Sequence, residues 1–249
     1  QRGRVLSGFH GVNYLGLAFG PLIGGLLTEQ LGFRAVFVAY AACAAISTLL
    51  GWSVQSRRHS AGAVEMNEAV RGWGIQAIRQ RLIGVRELFR QIDPKLRATY
   101  VVLVLATFTS FMHRVTTQSI VPIFASATLA MTPKEIGMLF TISGLSVFIM
   151  ILPAGFVSDK VGRKWATVPS TGIPAIAFLL IPFSESFVQL AVLLSFLGVS
   201  NGLSLGSLAT STYDVVPANA RGRLQAARRT IAEIGGISAP LIGGYLVDK

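Results

Sequence analysis

The chain has 249 residues, of which 52% are hydrophobic and only 13% are charged, and its formal net charge is +11. A soluble domain of this size usually carries about twice that charged share, so the composition argues against a water-soluble globular protein. The single cysteine, Cys43, can form no intrachain disulfide, and the sequence shows no metal-ligand cluster, so neither a metal nor another cofactor is expected.

Apolar residues occur in seven stretches, each about as long as the roughly 20 residues that cross a bilayer as a helix. Their sequences lack the two-residue alternation of a membrane barrel. The sequence therefore predicts an all-α membrane protein with seven transmembrane helices. They are placed near residues 5–28, 35–54, 98–126, 136–157, 166–183, 187–213 and 224–247.

The basic residues are unevenly distributed, since 18 of the 22 Lys and Arg lie in segments 1–4, 55–97, 158–165 and 217–229. These segments alternate along the chain with nearly neutral ones. Such alternation is the positive-inside pattern and predicts that all four are cytoplasmic. It also accounts for the net charge without nucleic acid as a partner.

The first span begins a repeat. Arg2-Gly3-Arg4 and Pro21–Gly25 recur 219 positions later as Arg221-Gly222-Arg223 and Pro240–Gly244. Two matches at one offset indicate two similar halves, as in many transporters. The first span also offers Asn13 and Tyr14 as polar side chains for a cavity between the halves.

Small residues recur at every fourth position in three spans, which places each set on one helical face. The sets are Gly16, Gly20 and Gly24; Gly198, Gly202 and Gly206; and Gly235, Ala239 and Gly243. Such a face permits either tight static packing or a smooth surface along which helices rock, and the sequence leaves both interpretations open.

Between the second and third spans lies a long polar stretch, 55–97, in which residues 76–92 have apolar side chains on one helical face and arginines mostly on the other. This pattern predicts an amphipathic helix. It either lies on the inner membrane surface and contacts lipid, or forms a solvated linker.

Ionisable residues inside a membrane are costly and therefore mark candidate sites. In the third span, His113 and Arg114 either face a central cavity with Gln118, or Arg114 extends to the outer headgroups. In the last span, Glu233 either carries a proton or pairs with Arg229 one turn earlier. Asn201 in the sixth span is expected to make a hydrogen bond between helices.

The fourth span has a start signal, Thr132-Pro133-Lys134-Glu135, which predicts a capping box. The charged loop 155–164 follows this span. Its two glycines, Gly155 and Gly162, are expected to permit the tight turn.

This loop resembles the signature of the major facilitator superfamily, G-x-x-x-D-[KR]-x-G-R-[KR], at every fixed position. The matching residues are Gly155, Asp159, Lys160, Gly162, Arg163 and Lys164. The first span resembles the helix-five motif of the proton-coupled drug exporters of that family, although Ser7 stands where the motif has glycine. The helix-five residues concerned are Arg4, Gly16, Gly20, Pro21, Gly24 and Gly25.

The resemblance implies a helical bundle with two pseudo-symmetric halves, of which this chain would be a fragment covering helices five to eleven. Residues 1–54 would then end the first half, 55–97 would connect the halves, and 98–249 would supply five helices of the second. It further implies that Asp159 holds an inner gate by contacting the start of the first span, near Gly3 and Arg4.

The function expected from the resemblance is secondary active transport by alternating access, with efflux of a small molecule in exchange for protons. Uptake of a sugar or organic acid, and a non-transporting receptor-like role, are the alternatives. No enzymatic activity is expected, because no nucleophile–base pair accompanies a plausible pocket. A monomeric multi-pass protein of the cell membrane, surrounded by lipid, is expected.

Overall fold

The computed structural model describes residues 2–53, 87, 89–217 and 220–247. The described part contains seven long α-helices and no strand. They are α1 (Arg2–Leu31), α2 (Phe33–Ser53), α3 (Pro94–Ala127), α4 (Pro133–Phe156), α5 (Arg163–Leu180), α6 (Phe187–Val215) and α7 (Arg221–Val247). Each helix overlaps one of the seven predicted spans, so the helical part of the prediction is confirmed. The amphipathic helix predicted at 76–92 falls mostly outside the described residues.

Five of these helices are long and apolar enough to cross a membrane, namely α2 to α6. In α1 the qualifying apolar stretch is shorter, Leu15–Leu31, and α7 does not qualify over the described residues. The first half of α7 carries four arginines, which lowers its mean hydropathy. Among the described residues, five of the seven predicted spans are therefore helices that qualify on length and composition.

Local signals set several helix ends. Thr132 and Glu135 form the predicted capping box: the Glu135 amide donates to Thr132 Oγ1 at 3.3 Å, and the Thr132 amide donates to Glu135 Oε2 at 2.8 Å. At the end of α1, Gly32 has a φ of 80°, a left-handed value that glycine adopts without strain, so α2 begins one residue later.

Helix α4 lies at the centre of the packing, with α1 along one side and α6 along another. Helix α3 packs on α7, and α5 packs on α6. The largest apolar cluster contains residues of α3, α4, α5 and α6. It is centred on four fully buried leucines, Leu139, Leu190, Leu194 and Leu197. Among the described residues, α2 packs mainly on α1. Its large apolar side chains are exposed, as expected of side chains that face lipid.

The small-residue faces were predicted correctly at Gly198 and Gly202 of α6 and at Gly235 and Gly243 of α7, whereas the surroundings of Gly206 lie outside the described part. A Cβ added to Gly198 would meet the Ser143 carbonyl, one on Gly202 would lie 2.7 Å from the Met150 Cβ, and one on Gly235 would lie 2.9 Å from the Phe108 ring. Close backbone approach therefore requires glycine at these positions.

The predicted face of α1 meets no other helix among the described residues, so its close packing stays a prediction. Added Cβ atoms at Gly16, Gly20 and Gly24 would meet nothing within 4 Å among the described residues. The neighbouring face of α1 is the one that contacts α4, where a Cβ on Gly25 would lie 2.5 Å from the Pro133 carbonyl oxygen. The contact continues through Pro21 against Gly137 and Ala18 against Gly144.

Candidate functional site

A cavity of about 900 Å³ lies between α1, α3, α4 and α6. Its rim includes Thr28, Phe33, Ser126 and Pro133, which lie at the helix ends opposite the predicted cytoplasmic segments. Since Val147, Asn201 and Leu205 also line it, the cavity extends from these helix ends to about the middle of the bundle. Its volume falls within the range of sites for small organic molecules.

The wall of this cavity is polar on one side and apolar on the others. Helix α3 contributes Arg114, Thr117 and Gln118, and α6 contributes Asn201. Helices α1 and α4 present mainly apolar side chains, among them Leu17, Pro21, Ile136, Phe140 and Val147. Such a division suits an amphiphilic molecule, whose polar end would lie against α3.

The polar wall continues into a buried stripe on α3. The hydroxyls of Thr107, Ser110 and Thr117 donate to the carbonyl oxygens four residues earlier, at 2.7 to 2.8 Å. Buried hydroxyls satisfied within their own helix carry little desolvation penalty. The stripe thus lets α3 present polar groups inside the bundle.

His113 lies in this stripe and is only 9% exposed. Its Nδ1 lies 3.1 Å from the Thr109 carbonyl oxygen, and its Nε2 lies 3.2 Å from Asn201 Oδ1 on α6. The Phe178 ring of α5 lies edge-on, with 6.4 Å between ring centroids. Asn201 therefore makes the predicted hydrogen bond between helices and also lines the cavity.

Arg114 and Gln118 both line the cavity, as their spacing of four residues predicted. The Arg114 guanidinium carbon lies 5.5 Å from the centroid of the Phe111 ring, at the distance of a cation–π contact. Of the two interpretations of Arg114, the structure favours the one in which it faces a cavity over extension to the headgroups.

The other ionisable candidate, Glu233, is not among the residues that line the cavity. Its Oε1 lies 3.6 Å from Nε of Arg229, and both side chains are more than half exposed. The interpretation of Glu233 as one partner of an ion pair is therefore confirmed. The side chains of Asn13, Tyr14 and Arg4 lie outside the described part, and their roles stay predictions.

The signature loop is a continuation of α4 through a π-helical turn, Val157–Val161, which ends at Gly162. Gly162 has a φ of 119° and a ψ of 146°, a conformation restricted to glycine, and α5 starts at the next residue. The prediction for Gly162 is confirmed, whereas that for Gly155 is wrong, since Gly155 lies within α4. The Lys160 ammonium lies 5.1 Å from the Phe156 ring centroid, and Lys164 is exposed.

The side chains of Asp159 and Arg163 lie outside the described part. The expected contact between Asp159 and the start of α1 therefore stays a prediction.

One buried cation was not predicted. Arg228 is 6% exposed, and its Nη1 donates to Thr107 Oγ1 of α3 at 3.0 Å. One turn earlier on α7, the Leu224 carbonyl oxygen accepts a hydrogen bond from the Tyr100 hydroxyl of α3 at 2.9 Å. These bonds join α3 to α7 in the half of the bundle nearer the cytoplasmic segments.

Comparison with known proteins gives a family match over nearly the whole chain. The family model described as Major Facilitator Superfamily matches residues 1–97 and 103–249.

Curated relatives are similar over more than nine-tenths of this chain. They include the multidrug resistance protein MdtG of Yersinia enterocolitica, 24% identical over 241 residues, and MdtG of Klebsiella pneumoniae, 25% identical over 236 residues. The multi-drug resistance efflux pump PmrA homolog of Lactococcus lactis is 26% identical over 239 residues. The aligned part covers 92% to 93% of this chain and 52% to 54% of those relatives. The chain thus spans about half the length of the curated relatives it matches.

Proposed function

The chain belongs to the major facilitator superfamily, and we propose that it forms part of a secondary active transporter that exports small amphiphilic molecules in exchange for protons. The observation that carries the proposal is the cavity of about 900 Å³, whose walls come from α1 on one side and from α3, α4 and α6 on the other. Under the predicted division at 55–97, these walls belong to different halves of the bundle. A site at the boundary of two halves is what alternating access requires.

Efflux rather than uptake is supported by two observations. Relatives similar over most of the chain are named as multidrug resistance proteins or an efflux pump. In addition, most of the cavity wall is apolar, whereas a sugar site would need many hydrogen-bonding groups around the ligand. Fold alone would not decide the direction of transport.

The packing of α1 on α4 suggests how the outer side closes. The Gly25, Gly137 and Gly144 positions bring the two backbones together beside the cavity. When this contact forms, the halves are held together on the outer side. When it separates, the cavity opens outward.

The proposal is tested with the full-length protein reconstituted in liposomes, with ethidium and Hoechst 33342 as fluorescent probes. We expect probe movement against its gradient when a proton gradient is imposed, and loss of that movement when the proton gradient is dissipated. Arg114→Ala should reduce transport at least tenfold, whereas Arg90→Ala, at an exposed residue in the cytoplasmic stretch, should not change it.

Each other outcome contradicts a stated part of the proposal. Movement of probe and protons in the same direction would indicate an uptake symporter. Binding without counterflow of the probe would indicate the receptor-like alternative. Equal transport by both arginine variants would remove Arg114 from the site.

A further inference from the structure

We propose that His113 and Asn201 couple the proton to the substrate, because the protonation state of His113 sets which end of the Asn201 amide faces the cavity. In the neutral state Asn201 offers its oxygen to a hydrogen-bond donor on the substrate. In the protonated state it offers its NH₂ group and the substrate is released. This inference rests on the proposed function and adds to it a coupling residue and a substrate group.

The hydrogen bonds of His113 carry the first step. Both ring nitrogens face oxygens: Nδ1 faces the Thr109 carbonyl at 3.1 Å, and Nε2 faces Asn201 Oδ1 at 3.2 Å. The Thr109 carbonyl oxygen only accepts, so Nδ1 carries hydrogen, whereas the Asn201 side-chain amide can turn either its oxygen or its NH₂ group towards Nε2. The arrangement with Oδ1 facing Nε2 fits the protonated ring, in which both nitrogens carry hydrogen.

Loss of one proton makes this arrangement unstable. A neutral imidazole has one N–H, which the Thr109 carbonyl retains at Nδ1, so Nε2 becomes an acceptor. Asn201 Oδ1 would then oppose a lone pair across a buried contact, which is costly where the dielectric is low. If the amide turns over, Nδ2 donates to Nε2 and the contact is restored.

Rotation of the Asn201 amide changes the hydrogen-bonding group that the cavity offers, because Asn201 lines the cavity. An amide carries its donor and its acceptor on opposite sides, so the atom that His113 does not bind is presented to the cavity. A neutral His113 therefore gives the cavity an acceptor, and a protonated one gives it a donor. A substrate bound through an N–H or O–H group fits only the neutral state.

Few charged groups surround His113 and Asn201 among the described residues. On α3, Arg114 is the charged residue next to His113 in the sequence, and it lines the cavity. Phe178 of α5 and Asn201 of α6 face the ring without charge. Among the described residues that line the cavity, Arg114 is the ionisable one, so no carboxylate there competes for the proton.

The proton transfer is balanced as an exchange. From the outer side, a proton binds Nε2 of His113, the amide turns, and the substrate leaves its acceptor. On the inner side, Nε2 releases the proton, the amide turns back, and the next substrate donates to Oδ1. One proton enters for each substrate exported.

The test measures binding and proton release with the purified full-length protein and ethidium, whose amino groups donate hydrogen bonds. For the wild type we expect ethidium to release protons into weakly buffered solution and its Kd to rise as the pH falls, by up to about tenfold per pH unit for one-proton exchange. His113→Gln has no titrating group at this position. Without a proton to exchange, its Kd for ethidium should change by less than about twofold per pH unit. Asn201→Leu, which has no amide to turn, should behave in the same way.

Thr116→Ala is the matched control, because Thr116 lies on α3 but does not line the cavity. It should keep the wild-type pH dependence. A His113→Gln protein with wild-type pH dependence would overturn this inference, while transport by the wild type would leave the proposed function intact. Absence of proton coupling in the wild type would instead overturn the proposed function. Thermal midpoint and gel filtration will show whether His113→Gln folds. If it does not, the pH dependence of Asn201→Leu tests the inference on its own.

Discussion

At the scale of single residues, the turn between α4 and α5 depends on the conformation of Gly162. Its φ of 119° lies where a side chain clashes with the backbone, whereas Gly155 in the same loop motif is helical and has nothing within 4 Å of an added Cβ. The two glycines of the signature thus have different physical roles, although the motif alone does not separate them.

Replacement of Gly162 by alanine should destabilise the protein, since a strained backbone of this kind costs about 1–3 kcal/mol. The thermal midpoint of the purified full-length protein should fall by several degrees. Gly155→Ala is the control and should raise the midpoint slightly, because alanine favours a helix over glycine by about 0.5–1 kcal/mol. Equal midpoints for the two variants would contradict the assignment of the turn to Gly162.

Residue patterns identified part of the candidate site. His113, Arg114 and Gln118 were predictable because polar residues inside an apolar span are costly without a partner. Their partners were not predictable, because Asn201 lies 88 residues away in sequence and its contact depends on how α3 and α6 pack. Sequence therefore indicated the polar wall but not the pair that crosses it.

Arg228 shows why one buried residue was missed. In the sequence it stands beside Arg229, and both were assigned to the predicted cytoplasmic segment 217–229 without a buried partner for Arg228. However, Arg228 lies on the same face as Leu224, Ala232, Gly235 and Ala239, which are all buried on α3. Extending the small-residue face of α7 towards its beginning would have found it.

At the scale of elements, the contact between α1 and α4 is the closest that the described residues form on α1. A Cβ on Gly144 would lie 2.6 Å from the Ala18 Cα atom, and backbone cannot yield as a flexible side chain can. The sequence predicted a small-residue face at Gly16, Gly20 and Gly24, whereas the contact with α4 uses the neighbouring face with Ala18, Pro21 and Gly25. A period of four defines a face, but it does not say which neighbouring helix that face meets.

Gly144→Ala should therefore force α1 away from α4, at an overpacking cost of about 1–3 kcal/mol. The thermal midpoint should fall, and transport should fall with it if this contact closes the outer side. Gly24→Ala, on a face of α1 that meets nothing within 4 Å among the described residues, serves as the control and should leave the midpoint close to that of the wild type. A Gly144→Ala protein as stable as the control would show that the two helices do not pack this closely.

At the scale of the whole molecule, the architecture follows from hydropathy and charge more directly than the site does. Long apolar runs must become helices in lipid because every backbone polar group needs a partner, and the structure has a helix at each of the seven runs. Lys and Arg clusters then orient the helices. Neither rule specifies that α4 packs between α1 and α6, which is what creates the cavity.

The orientation itself can be measured, and the proposed transport cycle depends on it. In a Cys43→Ser background, single cysteines would replace Arg2, Arg221, Thr128 or Glu185, and intact cells would be treated with a membrane-impermeant maleimide. Thr128 and Glu185 are exposed at the outer turns after α3 and α5 and should be labelled directly. Arg2 and Arg221 begin the two copies of the repeat and should be labelled only after permeabilisation, because both belong to basic cytoplasmic segments.

Two similar halves can exchange a central site between the two sides only if their equivalent ends share one side of the membrane. Labelling of Arg2 and Arg221 from opposite sides would therefore contradict the paired architecture and the alternating-access proposal together.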